Sequence, residues 1–210
     1  MLSPEVKQEL LKGIEKVSPE TVGSMVVLLE ELRAGAKASG KPYEKIDEVI
    51  EAAREYHELL VELRATMNIV GYTQMARLIT MMDVGLLAFK DMITKDDFSA
   101  RDLAVGALIE GGEILASSEY TLLPLEDMKV LVARHAMRLV RFLWEVQEAF
   151  GEPLDGDPDP AVGIRALVSY LLDDKVRIAQ RVVVLAQTYR WVISARIYAL
   201  FGTQRPAKRK

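Results

Sequence analysis

The chain has 210 residues, is 50% hydrophobic, 28% charged and 7% aromatic, and carries a net charge of −4. That length suits one domain or at most two small ones, and the apolar fraction is ample for a core, which argues against general disorder. The lack of Cys excludes disulfides, thiolate catalysis and thiolate metal sites, and two His argue against an all-histidine metal centre.

The chain opens Met1-Leu2-Ser3-Pro4-Glu5, with no basic segment followed by an apolar one, so no signal peptide is expected. The longest uncharged stretch, 65–76, has 12 residues and includes Asn68, Thr73 and Gln74. A membrane-spanning helix needs about 20 mostly apolar residues. The sequence therefore predicts a soluble, cytoplasmic or intracellular protein. One Asn and no Cys fit a thermophilic source.

Helical punctuation runs through most of the chain. Ser3 before Pro4, and Ser18 before Pro19, are N-caps followed by Pro at the first helical position. The second helix continues through Met25, Leu28, Leu29 and Leu32 to Ser39-Gly40. Pro42 opens a third, with Ile46, Val49, Ile50, Ala53, Leu60 and Leu63 on one side. Gly71-Tyr72-Thr73 predicts a break, with Thr73 capping a fourth helix to about residue 94. Asp97 or Ser99 caps a fifth through Leu103, Ala107, Ile109 and Ile114.

Pro124 begins a long helix to Phe150, and Gly151 follows in the position favoured after a helix end. Residues 152–159 are dense in turn formers and form the one clear loop. Asp159-Pro160 caps the final helical stretch, which either breaks at Asp173-Asp174 or runs on to Phe201. The reading is an all-α bundle of seven or eight helices with a long Arg-rich C-terminal helix. Residues 1–204 form one helical domain, divisible only near 151–159, and 205–210 form a basic tail.

Charge is distributed unevenly. Residues 1–120 hold 13 basic residues against 21 acids, a net −8, whereas 121–210 hold 14 against 10, a net +4. The basic residue also shifts from Lys in the first part to Arg in the second, and Arg grips carboxylate or phosphate with a planar fork. Glu51, Glu55, Glu58 and Glu62 line one helical face beside Arg54 and His57. The Glu-x-x-His pairing of a carboxylate-bridged metal site is missing, so a solvated face is expected. Arg134, Arg138, Arg141, Glu145 and Glu148 follow the same spacing. They read either as a wet face or as a guanidinium row that could meet phosphates or a partner's carboxylates. His135 aligns with Met128 and Phe142 and reads as a packing residue.

Several chemistries fail on inspection. Asp155, Asp157 and Asp159 begin like a calcium loop, but Pro160 and Ala166 stand where Gly and Glu are needed. Gly106, Gly111 and Gly112 lack a Walker lysine and a strand–glycine–helix context, so they suit close packing or a kink. No nucleophile elbow, zincin or kinase signature is present. No catalytic residue, metal or cofactor is expected.

The last helix carries the sharpest expectation. Val176, Ile178, Val182, Val183, Val184, Leu185, Ala186, Val192, Ile193, Ile197 and Leu200 cover most of its circumference. Such a helix is central or is buried against another chain. Arg177, Arg181, Arg190 and Arg196 punctuate it, and four Arg are expensive to bury unpaired. Tyr189, Trp191 and Tyr198 add aromatic area of the kind enriched at interfaces. Arg205, Lys208, Arg209 and Lys210 end the chain as an electrostatic arm.

Together these features predict a non-enzymatic, self-associating structural subunit. Its acidic and basic halves would meet head to tail, and its Arg-rich half could coat a nucleic-acid backbone. Two alternatives remain open. One is an adaptor for an acidic partner. The other is a helical enzyme or ligand-binding regulator with a pocket near Tyr72, Tyr120 or His135.

Overall fold

A computed structural model of the chain describes residues 3–95, 105–107, 109–111, 113, 125–150 and 160–202. All regular structure among them is α-helical, as the periodicity predicts. The helices are α1 (Pro4–Glu15), α2 (Pro19–Ala38), α3 (Glu44–Thr66), α4 (Ile69–Lys95), α5 (Leu125–Phe150), α6 (Pro160–Leu172) and α7 (Ile178–Leu200). The described residues between 105 and 113 are helical as well. No helix among the described residues is long and apolar enough to cross a membrane.

The helix starts follow local chemistry. Ser3 and Ser18 accept hydrogen bonds from the amides of Val6 and Thr21, with Pro at the first helical position in both helices. α2 ends where Gly40 takes a φ of +63°, the left-handed conformation that Gly adopts at no steric cost. Two predicted boundaries move. α3 begins at Glu44 rather than Pro42. The break placed at Gly71-Tyr72-Thr73 falls instead at Met67-Asn68. There the Asn68 carboxamide accepts from the Gly71 amide at 2.6 Å and its carbonyl accepts from the Tyr72 amide, so Asn68 is the cap. Thr73 sits inside the first turns and donates to the Ile69 carbonyl at 2.8 Å. Of the two options for the final stretch, the Asp173-Asp174 break is the one observed, with residues 173–177 separating α6 from α7.

α7 lies at the centre and packs against α1, α3, α4, α5 and α6, while α2 covers the outer side of α3. Its apolar circumference is thereby enclosed by the chain itself. Val182, Leu185, Ala186, Val192, Ile193 and Ile197 are all buried. Tyr189 stands in the middle of the core, stacked on Tyr56 of α3 and edge-on to His135 and Phe142 of α5.

The arginines of this helix have intramolecular partners. Arg181 is 3% exposed and donates to the Leu171 carbonyl, one of the orphan acceptors at the end of α6, and to Asp174. Arg190 does the same for α1, donating to the carbonyls of Ile14 at 2.8 Å and Glu15 at 3.2 Å, and it pairs with Asp83. Arg196 is 4% exposed and reaches the Glu48 carbonyl and the Glu145 carboxylate. These cations meet the partial negative charge of helix ends and the acids of other helices.

If α7 is the keystone, truncating it differs sharply from truncating the surface. Leu185→Ala is expected to lower the unfolding free energy by about 2–5 kcal/mol. Leu125→Ala, at a side chain 48% exposed, should change it by less than about 0.5 kcal/mol. Chemical denaturation of the two variants checks both.

Candidate functional site

The acidic stripe of α3 and the guanidinium row of α5 face each other. The two helices run in opposite directions, so the stripes meet in reverse order. Arg134 pairs with Glu62, Arg138 with Glu55 at 2.8 Å and Glu58 at 3.0 Å, and Arg141 with Glu51. Arg141 also reaches Glu145 at 3.5 Å, one turn along its own helix. The equal spacing of the two stripes is the signal that could have paired them. It is explicit in the sequence, but a single sequence does not fix which helices are neighbours or their direction.

This pairing bears on two expectations. The face of Glu55, Glu58 and Glu62 is not simply solvated, because each carboxylate is held by a cation of α5. Part of the opposite charge that head-to-tail contact between chains would neutralise is already paired within one chain, at a quarter to just over a half exposure, where water still screens it. Glu58 is held below the usual carboxylate range by its hydrogen bond from Arg138, and Arg138 is raised in turn by Glu58.

His135 lies between this row and the core. It is completely buried. Its Nδ1 is 3.1 Å from the Tyr189 hydroxyl, and that hydroxyl donates to the His135 carbonyl at 3.4 Å. Its Nε2 points at the Glu62 carboxylate, 3.4 Å from the nearer oxygen, and has no hydrogen-bond partner. The packing role expected for His135 accounts for the ring but not for this nitrogen. Burial pulls its pKa down, and the neighbouring Glu62 carboxylate opposes that shift. Burial likewise raises the Tyr189 hydroxyl well above its ordinary value. Glu58, Glu62 and His135 each offer one ligand atom, and the three atoms lie within 4.8 Å of one another.

The other expected contact residues separate into groups. Arg181, Arg196 and Tyr189 are inside the bundle, and Arg190 is only 12% exposed. None of these presents a docking surface, because each is spent on an internal acceptor or on packing. Trp191 and Tyr198 are half-buried, and the Tyr198 ring receives Lys7 from α1 at 4.3 Å. Arg177 is exposed at the start of α7. Arg205, Lys208, Arg209 and Lys210 lie outside the described residues, as do Tyr120 and the loop Asp155, Asp157 and Asp159.

Two shallow grooves open on α3. One, of about 490 Å³, is lined by residues including Gly23, His57, Val61 and Arg64. The other, of about 430 Å³, includes Arg33, Asp47 and Glu51. Neither is lined by Tyr72 or His135, beside which the ligand-binding alternative would place its pocket. At the edge of the first, Arg64 and the Ser18 hydroxyl hold the Glu20 carboxyl down at about 2.

Sequence comparison and fold comparison are both silent: no family model, no curated protein and no solved structure matches the chain.

Two measurements probe the electrostatics. A double-mutant cycle on Arg138→Gln and Glu58→Gln should give a coupling of about 0.5–1 kcal/mol at low salt that shrinks by roughly half in high salt. Arg64→Ala should return the Glu20 carboxyl from about 2 toward the ordinary carboxylate range, read by side-chain carboxyl NMR over an acid titration.

Proposed function

We propose that this chain is a non-enzymatic helical subunit that works by associating with a second copy of itself through the outer face of α5. Val130, Met137 and Trp144 are 66%, 61% and 39% exposed. They recur every seven residues, which sets them in one row roughly 21 Å long by helical rise. Three exposed apolar side chains in one row at seven-residue spacing match one position of a helix–helix seam and leave an apolar strip for a partner to cover.

The row is self-complementary. Two copies related by a two-fold axis through Met137 would pair in opposite directions, with the small Val130 of each against the large Trp144 of the other. Arg134 and Arg141 flank the row and are already held by Glu62 and Glu51 of their own chain, so they can border such a seam without bringing unpaired charge into it. Contact with a nucleic-acid backbone belongs to this reading only through the basic 205–210 segment, because the Arg134, Arg138 and Arg141 row is neutralised by α3.

Sedimentation velocity over a concentration series tests the reading. The wild-type chain should form a dimer or larger species, and Met137→Glu with Trp144→Glu should leave a folded monomer with unchanged helical circular dichroism. A wild-type chain that stays monomeric up to about millimolar concentration, the range of even weak association, rules the proposal out. Association that the double variant leaves intact rules out this face. Filter binding to duplex DNA at two salt concentrations reads the tail separately, since backbone contact must weaken steeply with salt.

A further inference from the structure

We propose that Glu58, Glu62 and His135 form a binding site for a borderline divalent cation of the zinc type, built across α3 and α5. The observations behind it are separate from those behind self-association. It starts from the buried nitrogen. His135 is fully enclosed, and its Nε2 has no hydrogen-bond partner although it faces a carboxylate. A separation of 3.4 Å between Nε2 and the nearer Glu62 oxygen is long for a hydrogen bond. It is the right length for two ligands of one tetrahedral ion. Ligand bonds of about 2.0–2.1 Å at a tetrahedral angle put the two donor atoms about 3.4 Å apart.

The hydrogen bonds on the other side of the ring are compatible with the state in which a cation is held between Nε2 and Glu62. The Tyr189 hydroxyl lies 3.4 Å from the His135 carbonyl and 3.1 Å from Nδ1. Its single proton can serve only one of them. If it donates to the carbonyl, Nδ1–H donates to the hydroxyl oxygen and both contacts are hydrogen bonds. If it donates to Nδ1, the carbonyl contact is lost. The first arrangement leaves Nε2 with a lone pair aimed at Glu62, the tautomer that a metal requires. A ligand His whose other nitrogen donates to a fixed neighbour is the usual support for such a site. Tyr189 is thus a positioning residue.

Glu58 lies one turn before Glu62 on the same face of α3, and its ligand atom is within 4.8 Å of the other two. It is partly exposed, so it can swing inward. One imidazole nitrogen and two carboxylate oxygens suit Zn²⁺, with water as the fourth ligand. Arg134 and Arg138 compete for these carboxylates. The cation must displace at least the Arg134 contact, and this competition gives the site a signature that a surface carboxylate pair lacks.

Isothermal titration of the full chain, stripped with a chelator and then titrated with ZnCl₂, tests the site. The expected result is one Zn²⁺ per chain. Glu62→Gln and Glu58→Gln should each weaken binding at least about tenfold, and Tyr189→Phe by about 10–100-fold. Arg134→Gln should tighten it. Glu51→Gln and His57→Ala, outside the site, should leave it unchanged. His135→Gln should abolish binding. If that variant fails to fold, the two partly exposed carboxylates decide the matter alone. Lack of binding by the folded wild-type chain at about 100 μM free Zn²⁺, well above a useful affinity, overturns the proposal. So does binding that persists in Glu58→Gln and Glu62→Gln, or binding that is lost in His57→Ala.

Discussion

Three guanidinium groups carried inward by the central helix set the terms for the rest of the bundle. A helix as apolar as α7 gains most by being surrounded, but Arg181, Arg190 and Arg196 travel with it. Removing a cation from water without a partner costs several kcal/mol. The bundle meets that cost with groups that helical structure leaves over. The last carbonyls of α1 and α6 have no partner within their own helices, and Arg190 and Arg181 supply one. Arg196 links the Glu48 carbonyl of α3 to Glu145 of α5. The first two contacts solve two problems together, and all three tie α7 to a particular end or face of a neighbour. Hydrophobic burial alone would let α7 rotate or slide among similar arrangements, whereas fixed acceptors select one.

The α3–α5 contact follows a different logic. Its charges are partly wet, so each pair contributes little by itself. Their value lies in register. Two stripes with the same spacing and opposite sign match in reverse order along antiparallel helices. A slip by one turn would leave Glu62 or Arg141 at the wrong end of the row. That register places His135 beneath Glu62 and places Tyr189 of α7 behind His135. The charged row and the aromatic core are therefore one continuous polar-to-apolar gradient with the imidazole at the boundary.

The fold was largely legible. Apolar residues at helical spacing, with Ser-Pro starts in the first two helices and turn formers between the others, identified the helices because those signals are local. The misplacement of the α4 start has a local cause too: Gly71 and Thr73 looked like a break, but the only Asn in the chain, Asn68, supplies the side-chain acceptor that begins the helix. The central position of α7 was one of two readings that its apolar circumference allowed. What the sequence could not supply was partnership. Arg134 and Glu62 are far apart in the chain, as are Arg190 and Ile14; the matched spacing of the two charged stripes hints at the first pairing without fixing which helices are neighbours, and nothing in either segment marks the second. The unpartnered nitrogen of His135 is equally invisible from its neighbours in sequence, since it results from the meeting of three helices.

α5 brings these themes together because its faces do three separate tasks. Met128, Val132, Leu139 and Val146 enter the core. Arg134, Arg138 and Arg141 form the flank that meets α3. Val130, Met137 and Trp144 remain outside. An α-helix advances 100° per residue, so a residue three or four positions away shares a face and one two positions away does not. His135 precedes Met137 by two positions and Arg138 by three, which explains how one short stretch can hold a buried nitrogen, an exposed apolar side chain and a cation bridging two carboxylates. The flank also couples the other two faces. Arg134 borders the exposed row and at the same time holds Glu62, the carboxylate that faces His135. Anything that takes Glu62 from Arg134 releases a guanidinium beside the outer row and changes the charge there. The proposed cation site and the proposed seam are thus linked through that one side chain.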